Sequence, residues 1–328
     1  MDDNHGKVPW YAWALLGLAL VAVSSGATLF ELIDEVAVNE TDSEDGVQPL
    51  LLASWRLQAT SLVLLPGFLR QWKKADSSIK EGFMEGRTLL ILGGSGIFLC
   101  LHFGTWLMSL KLTTLTHSLL FVTAHPLVIV TGLWIMGRSV ERGKVLGVIV
   151  GFIGASFAIV GGGSESGVSL LGNFLAFMGA VTYVGYLSAG RILRTWMPIF
   201  LYAFPVTLIS SILLIFWSLL VEQTTISGMA IGSVLGWTSL IWLPFVILLA
   251  LGPGLMGHTG LNTCLRWMPP LIVSVVMITE PVIGSVMGWA LGVEDIPGKW
   301  TWIGGILMIT GVGMVTLTQD SNSADMEE

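Results

Sequence analysis

Leu115 to Met136 reads LTHSLLFVTAHPLVIVTGLWIM, and Leu271 to Leu291 reads LIVSVVMITEPVIGSVMGWAL. Each stretch matches the roughly 20 predominantly apolar residues that carry one helix through the hydrocarbon of a bilayer. Each holds a proline near its middle, Pro126 or Pro281, directly after a titratable side chain, His125 or Glu280. Proline removes a helical hydrogen bond. An ionisable group at bilayer depth is costly enough to be a functional candidate by default. Two helices with the same interruption therefore point to a duplicated membrane protein with polar groups inside it.

The rest of the chain has the same character. Of its 328 residues 53% are hydrophobic and 11% charged, whereas a soluble domain carries roughly a quarter charged residues. Divided by the residues that one crossing and its loop need, the length allows about ten spans. The 40 glycines and 14 tryptophans fit close helix packing and interfacial anchoring. Cys100 and Cys264 both fall in apolar runs, so neither a disulfide framework nor a thiolate metal site is indicated. Lys7 alone precedes the first apolar run, which is too long for a signal-peptide core and lacks a small-residue cleavage pattern. That run is expected to stay as a membrane helix.

The spans are predicted at Trp10–Phe30, Leu50–Leu69, Thr88–Leu110, Leu115–Met136, Val145–Val160, Ser169–Ala189, Pro198–Leu220, Leu243–Leu265, Leu271–Leu291 and Trp300–Leu317. Basic residues mark the cytoplasmic side of a membrane protein. With the N-terminus inside, Lys7, Arg70, Lys73, Lys74, Lys80, Arg87, Arg138, Arg142, Lys144, Arg191, Arg194 and Arg266 all fall in inner loops. Only Lys111 and Lys299 fall outside, and Arg56 lies within the second span. The stretch from Glu31 to Asp45 is acidic without a basic residue, as a solvated outer loop allows. Gly228 to Trp242 is expected to lie along the outer interface. Both termini are then cytoplasmic, in a protein expected at the plasma membrane.

The second half of the chain repeats the first. At an offset of 155 residues Lys111 matches Arg266, Pro126 matches Pro281, Gly137 matches Gly292, Gly143 matches Gly298 and Lys144 matches Lys299. Small gaps bring His102-Phe103-Gly104 onto His258-Thr259-Gly260, and Gly147 with Gly154 onto Gly304 with Gly311. Five spans per copy is an odd number, so the copies must be inverted in the membrane. Many secondary transporters are built in this way around a midplane site.

Several motifs are similar to those of the drug/metabolite transporter superfamily, specifically its EamA-type members with two five-helix repeats. They are Pro49-Leu-Leu-Leu-Ala-Ser-Trp-Arg56, Pro126, Gly147-Val-Ile-Val-Gly-Phe-Ile-Gly154, Glu280-Pro281, Leu291-Gly-Val-Glu294 and Gly304-Gly-Ile-Leu-Met-Ile-Thr-Gly311. The chain departs from that pattern in the acidic residue expected at the end of the fourth helix, which is displaced to Glu141, and at His125, which precedes Pro126 where Glu280 precedes Pro281. The resemblance implies an all-α integral membrane fold of ten transmembrane helices. Residues 1–160 and 161–318 would form the two repeats, and 319–328 a disordered cytoplasmic tail. It also implies export or exchange of a small metabolite, driven by a proton or a counter-substrate.

Five side chains are candidates for substrate binding or coupling: Arg56, His102, His125, His258 and Glu280. Arg56 either clamps a substrate carboxylate or phosphate bidentately, or snorkels, or pairs with Glu280 or a helix-end carbonyl. Glu280 either carries a proton or cation, or supports the kink at Pro281. His102 and His258 occupy equivalent places, each with a glycine two residues later. Imidazole titrates near neutrality, so this pair either reads substrate and protons or bonds neighbouring carbonyls. His125 is expected to bond Ser118, Thr123 or another helix, or to join the site. Gly143, Gly147 and Gly151 form a stripe for close packing. Trp55, Trp106 and Trp134 read as interfacial anchors.

No nucleophile with a base, metal-ligand cluster or phosphate loop stands at a useful spacing, so neither catalysis nor a cofactor is expected. Gly161 to Gly167 reads as a flexible connector, and Asn39-Glu-Thr41 is a glycosylation sequon. The expected partners are a small-molecule substrate, the lipid bilayer and, as one option, a second copy in a homodimer; nucleic acid is not expected. A membrane-embedded enzyme or a receptor is the alternative. An enzyme would show a reactive constellation near one face, and a receptor need not carry inverted repeats.

Overall fold

The computed structural model describes residues 8–41, 46–113, 115–160, 169–291, 296 and 298–318. Among these the chain is helical, as the composition requires. The elements are α1 (Trp10–Thr41), α2 (Pro49–Lys74), α3 (Ser77–Met84), α4 (Gly86–Leu112), α5 (Leu115–Val122), α6 (His125–Ile135), α7 (Arg142–Val160), α8 (Leu170–Arg194) and α9 (Ile199–Val221). They continue as α10 (Leu243–Leu249), a π-helical segment (Ala250–Thr259), α11 (Gly260–Cys264), α12 (Pro270–Met277), α13 (Glu280–Ala290) and α14 (Lys299–Leu317). Eight helices among the described residues are long and apolar enough to cross a bilayer, two of them running through short interruptions. α2 and α7 are not among the eight; polar residues such as Arg56 and Gln58 dilute α2. Large apolar side chains such as Leu90, Ile97, Ile153, Phe216 and Ile306 lie exposed on the outside. Such exposure of many large apolar side chains is what a lipid solvent permits.

The two stretches that open the sequence reading are broken helices of matching dimensions. α5 has 8 residues and α6 has 11; α12 has 8 and α13 has 11. Pro126 and Pro281 cannot donate to the carbonyl four residues back. The chain turns instead through three-residue bonds, Ala124 N to Phe121 O at 3.3 Å and Thr279 N to Val276 O at 3.2 Å. His125 and Glu280 thereby become the first residues of new helices.

α2 and α9 pack side by side and cap one another. Near the end of α2, Gln71 Oε1 accepts from Phe200 N at 2.8 Å and Leu201 N at 3.3 Å, at the start of α9. Past the end of α9, Glu222 Oε1 accepts from Leu50 N at 2.7 Å and its Oε2 from Leu51 N at 2.9 Å, at the start of α2. Each helix thus satisfies amide groups that a helix N-terminus leaves orphaned. α7 lies along α14 through glycines. A side chain on Gly147 would meet Gly311 O at 2.8 Å, and one on Gly154 would meet Gly304 O at 2.7 Å. The glycine stripe is therefore a packing seam.

Several boundaries differ from the sequence reading. α1 continues past Phe30 to Thr41, because no proline or glycine interrupts it; acidic residues mark where apolar surface stops, not where a helix must. Asp34 in this extension pairs with Lys111 at 3.1 Å. The segment between α9 and α10 folds onto α2, joined by Trp55 Nε1 to Ser233 O at 3.0 Å and Trp237 Nε1 to Gln58 Oε1 at 3.0 Å. Trp55 is accordingly fully buried and is no interfacial anchor. Gly292, Glu294, the Gly161–Gly167 connector and the tail from Gln319 lie outside the described residues.

Candidate functional site

Arg56, His102, His125, His258 and Glu280 come from five different elements, and all five line one small cavity of about 30 Å³. α2 brings Arg56, α4 brings His102, and the π-helical segment brings His258. The two proline breaks deliver His125 and Glu280 at the N-terminal ends of α6 and α13. Tyr183 of α8, Trp106 of α4 and Thr123 complete the polar wall, with Val23, Val122 and Met277 between them.

Arg56 is 2% exposed. Its guanidinium carbon stands 4.5 Å from the centre of the Phe103 ring and 5.8 Å from that of Phe30. Among the described residues no carboxylate lies within ion-pair distance of it, and its Nε–H has no acceptor. The expected pairing with Glu280 is therefore not made in this conformation. Glu280 shares the cavity, half-buried and without a side-chain hydrogen bond to another described residue.

The histidines divide. His102 Nδ1 lies 3.0 Å from Gly179 O, so one ring nitrogen is engaged by backbone, as an apolar helix would dictate. His125 Nδ1 bonds Ser274 Oγ of α12, which ties one broken helix to the other. Of the partners considered from sequence, Ser118 bonds Ser109 at 2.6 Å and Thr123 returns to Leu119 O at 2.7 Å. His258 Nδ1 has no partner. The rings of His102 and His258 approach to 6.1 Å, so the two equivalent histidines face each other. Pro253 sits inside the π-helical segment, where Thr259 Oγ1 reaches Gly254 O at 3.1 Å. Such wide turns often mark functional sites within helices.

Two wall residues stand outside the five candidates read from sequence. Trp106 is 6% exposed, stacks on His102 at 6.2 Å and leaves its indole N–H without an acceptor, so it is not an interfacial anchor. Trp134, by contrast, is exposed. Tyr183 is 3% exposed, its hydroxyl is unpartnered, and its ring lies 4.8 Å from His102 and 5.0 Å from His125. A signal existed. A buried tyrosine hydroxyl usually finds a partner, and Tyr183, Tyr186 and Tyr202 all stand inside apolar runs. Tyr186 bonds Asn262 and Tyr202 bonds Ser95, which leaves Tyr183 as the one facing the cavity.

No family model and no curated protein matches the chain. Among solved structures 29 chains match. One of them, a crystal structure, aligns over 98% of this chain and 100% of its own with a TM-score of 0.70 and 18% sequence identity. That likeness establishes a shared fold along the whole chain. Among the described residues, the fold and the site together define an all-α protein with several helices long and apolar enough to cross a membrane and a cavity among them lined by both polar and apolar side chains.

Proposed function

We propose that the chain is a secondary transporter of a small organic solute, with ten membrane helices in two inverted five-helix repeats that work by alternating access. The observation that carries this reading is the shared cavity. It holds an arginine and a glutamate that are not paired with each other, and its walls come from both halves of the chain. Charge left unpaired at membrane depth marks a substrate or ion pathway. The inverted duplication draws support from the equal 8- and 11-residue pieces of the two broken helices, from the reciprocal caps of α2 and α9, and from the glycine seam of α7 and α14. Half-helices that begin at the site suit transporters whose substrate sits between repeats. Glu280 is the coupling carboxyl in this reading, and the sequence motifs that resemble those of EamA-type transporters are compatible with it.

Purified protein in liposomes tests it. Solute-loaded vesicles should show counterflow that vanishes in Arg56→Gln at equal incorporation. Binding without exchange would make the protein a receptor. Reporter fusions at Gly46, Ser78, Ser164 and the C-terminus should read outside, inside, outside and inside; an external C-terminus would overturn the inverted arrangement.

A further inference from the structure

Resting on that transport reading, we propose that the solute is a small organic anion of single charge, and that it occupies the cavity together with one proton on Glu280. Arg56 is buried, and no described carboxylate is within ion-pair distance. A guanidinium cannot escape its charge by losing a proton, and a buried charge without a partner in hydrogen-bonding contact costs several kcal/mol in general. Phe103 covers a face of the guanidinium, which leaves its in-plane N–H groups for an anion's oxygen pair. Four residues of the lining each carry a buried atom without a partner: Arg56 Nε, Trp106 Nε1, the Tyr183 hydroxyl and His258 Nδ1. The first two are donors only, and the other two are able to donate. Such a wall lacks acceptors from its occupant, as a carboxylate supplies.

The number of charges follows from the lining. Among the described residues of the lining, Arg56 is the one permanent cation and Glu280 the one carboxyl. The other titratable groups facing Glu280 across the cavity are His102, His125, Tyr183 and His258. His102 and His125 each have a ring nitrogen already engaged, by Gly179 O and by Ser274 Oγ. A dianion would find no second permanent cation. A monoanion on Arg56 beside an ionised Glu280 would leave two negative charges against one positive in a poorly solvated space. A proton on Glu280 restores neutrality, so anion and proton are taken up together, one for one. No covalent bond changes; a proton moves from water to the Glu280 carboxylate and returns to water when the anion leaves.

The test uses the full chain in lipid nanodiscs with lactate, benzoate and 4-hydroxybenzoate as probes, beside lactamide and benzamide as uncharged counterparts. At least one carboxylate should bind, its amide should bind at least about tenfold more weakly, and Arg56→Gln should weaken the carboxylate by about tenfold or more. Arg56→Lys keeps the charge and loses the fork, so an intermediate affinity is expected. As pH rises and Glu280 loses its proton, wild-type affinity should fall by up to about tenfold per pH unit, as one linked proton requires. In weakly buffered solution binding should take up one proton. In Glu280→Gln the affinity should persist, independent of pH, without proton uptake. Equal binding of acid and amide, full affinity in Arg56→Gln, or failure of every carboxylate to bind overturns the proposal. An amide that binds and also undergoes counterflow would overturn the anion while leaving transport intact. Anion binding with its proton but without counterflow would sustain this site and refute transport.

Discussion

The two broken helices share a pattern of lengths and differ in what they place at the break. α5–α6 presents His125, and α12–α13 presents Glu280, each as the first residue of its second half. His125 is spent on structure, with its Nδ1 bonded to Ser274 of the opposite broken helix. Glu280 has no such bond and stands in the cavity with Arg56. Two breaks of matching dimensions thus have one fixed end and one free end. A titratable group acts in coupling only where neither protonation state is locked by a neighbour, which is why the break without such a bond holds the proposed coupling residue.

The largest effect that tests this contrast is expected at Glu280. Glu280→Gln resembles the permanently protonated carboxyl and should abolish accumulation driven by a pH gradient in liposomes, while counterflow exchange continues. Unchanged pH-driven uptake would place Glu280 with His125 as a structural residue and erase the contrast.

Both broken helices rest against the α7–α14 pair, so disturbing that seam should harm both alike. A leucine at Gly154 would drive its Cβ to 2.7 Å from Gly304 O and 2.8 Å from Leu307 Cβ. Overpacking of this kind typically costs about 1–3 kcal/mol and more when backbone blocks relief. Gly154→Leu should reduce folded protein in the membrane, measured as monodisperse protein after extraction. Wild-type yield and melting temperature would show that the seam gives way more easily than the glycine contacts indicate.

His125→Ala should show the reverse of Glu280→Gln. It removes the bond to Ser274 and leaves a buried hydroxyl short of a partner, at a cost of about 1–3 kcal/mol. A lower unfolding temperature with pH-driven uptake still present is the expected result. Loss of uptake at an unchanged unfolding temperature would make the two breaks functionally equivalent.

The smallest effect concerns a second asymmetric pair, the reciprocal caps of α2 and α9, where Gln71 is neutral and Glu222 titrates. Burial raises the Glu222 carboxyl above the usual carboxylate range, against the backbone donors of Leu50 and Leu51, the Ser218 hydroxyl and the charge of Lys111. A carboxyl raised in the folded state favours folding most in acid, and that contribution is lost as pH rises through its shifted value. Thermal unfolding of wild type relative to Glu222→Gln should therefore lose ground from acid toward neutral pH, while Gln71→Glu should introduce pH dependence at the other cap. Parallel curves for wild type and Glu222→Gln would show that this cap does not titrate in the folded range.

The sequence by itself determined the all-α membrane class, because apolar runs of bilayer length report their solvent directly. It also located the two breaks, since proline acts through its own backbone, and it selected the five ionisable residues, whose burial in apolar runs is costly wherever they point. Tertiary structure decided what those residues do to one another. That Arg56 lacks Glu280 as an ion-pair partner, that His125 reaches Ser274, and that Trp106 and Tyr183 turn inward all depend on how helices distant in sequence are rotated about their axes. Helix rotation follows from shape, such as the glycine seam between α7 and α14. A run that is apolar on every side carries little periodic signal to reveal which face it turns to its neighbours.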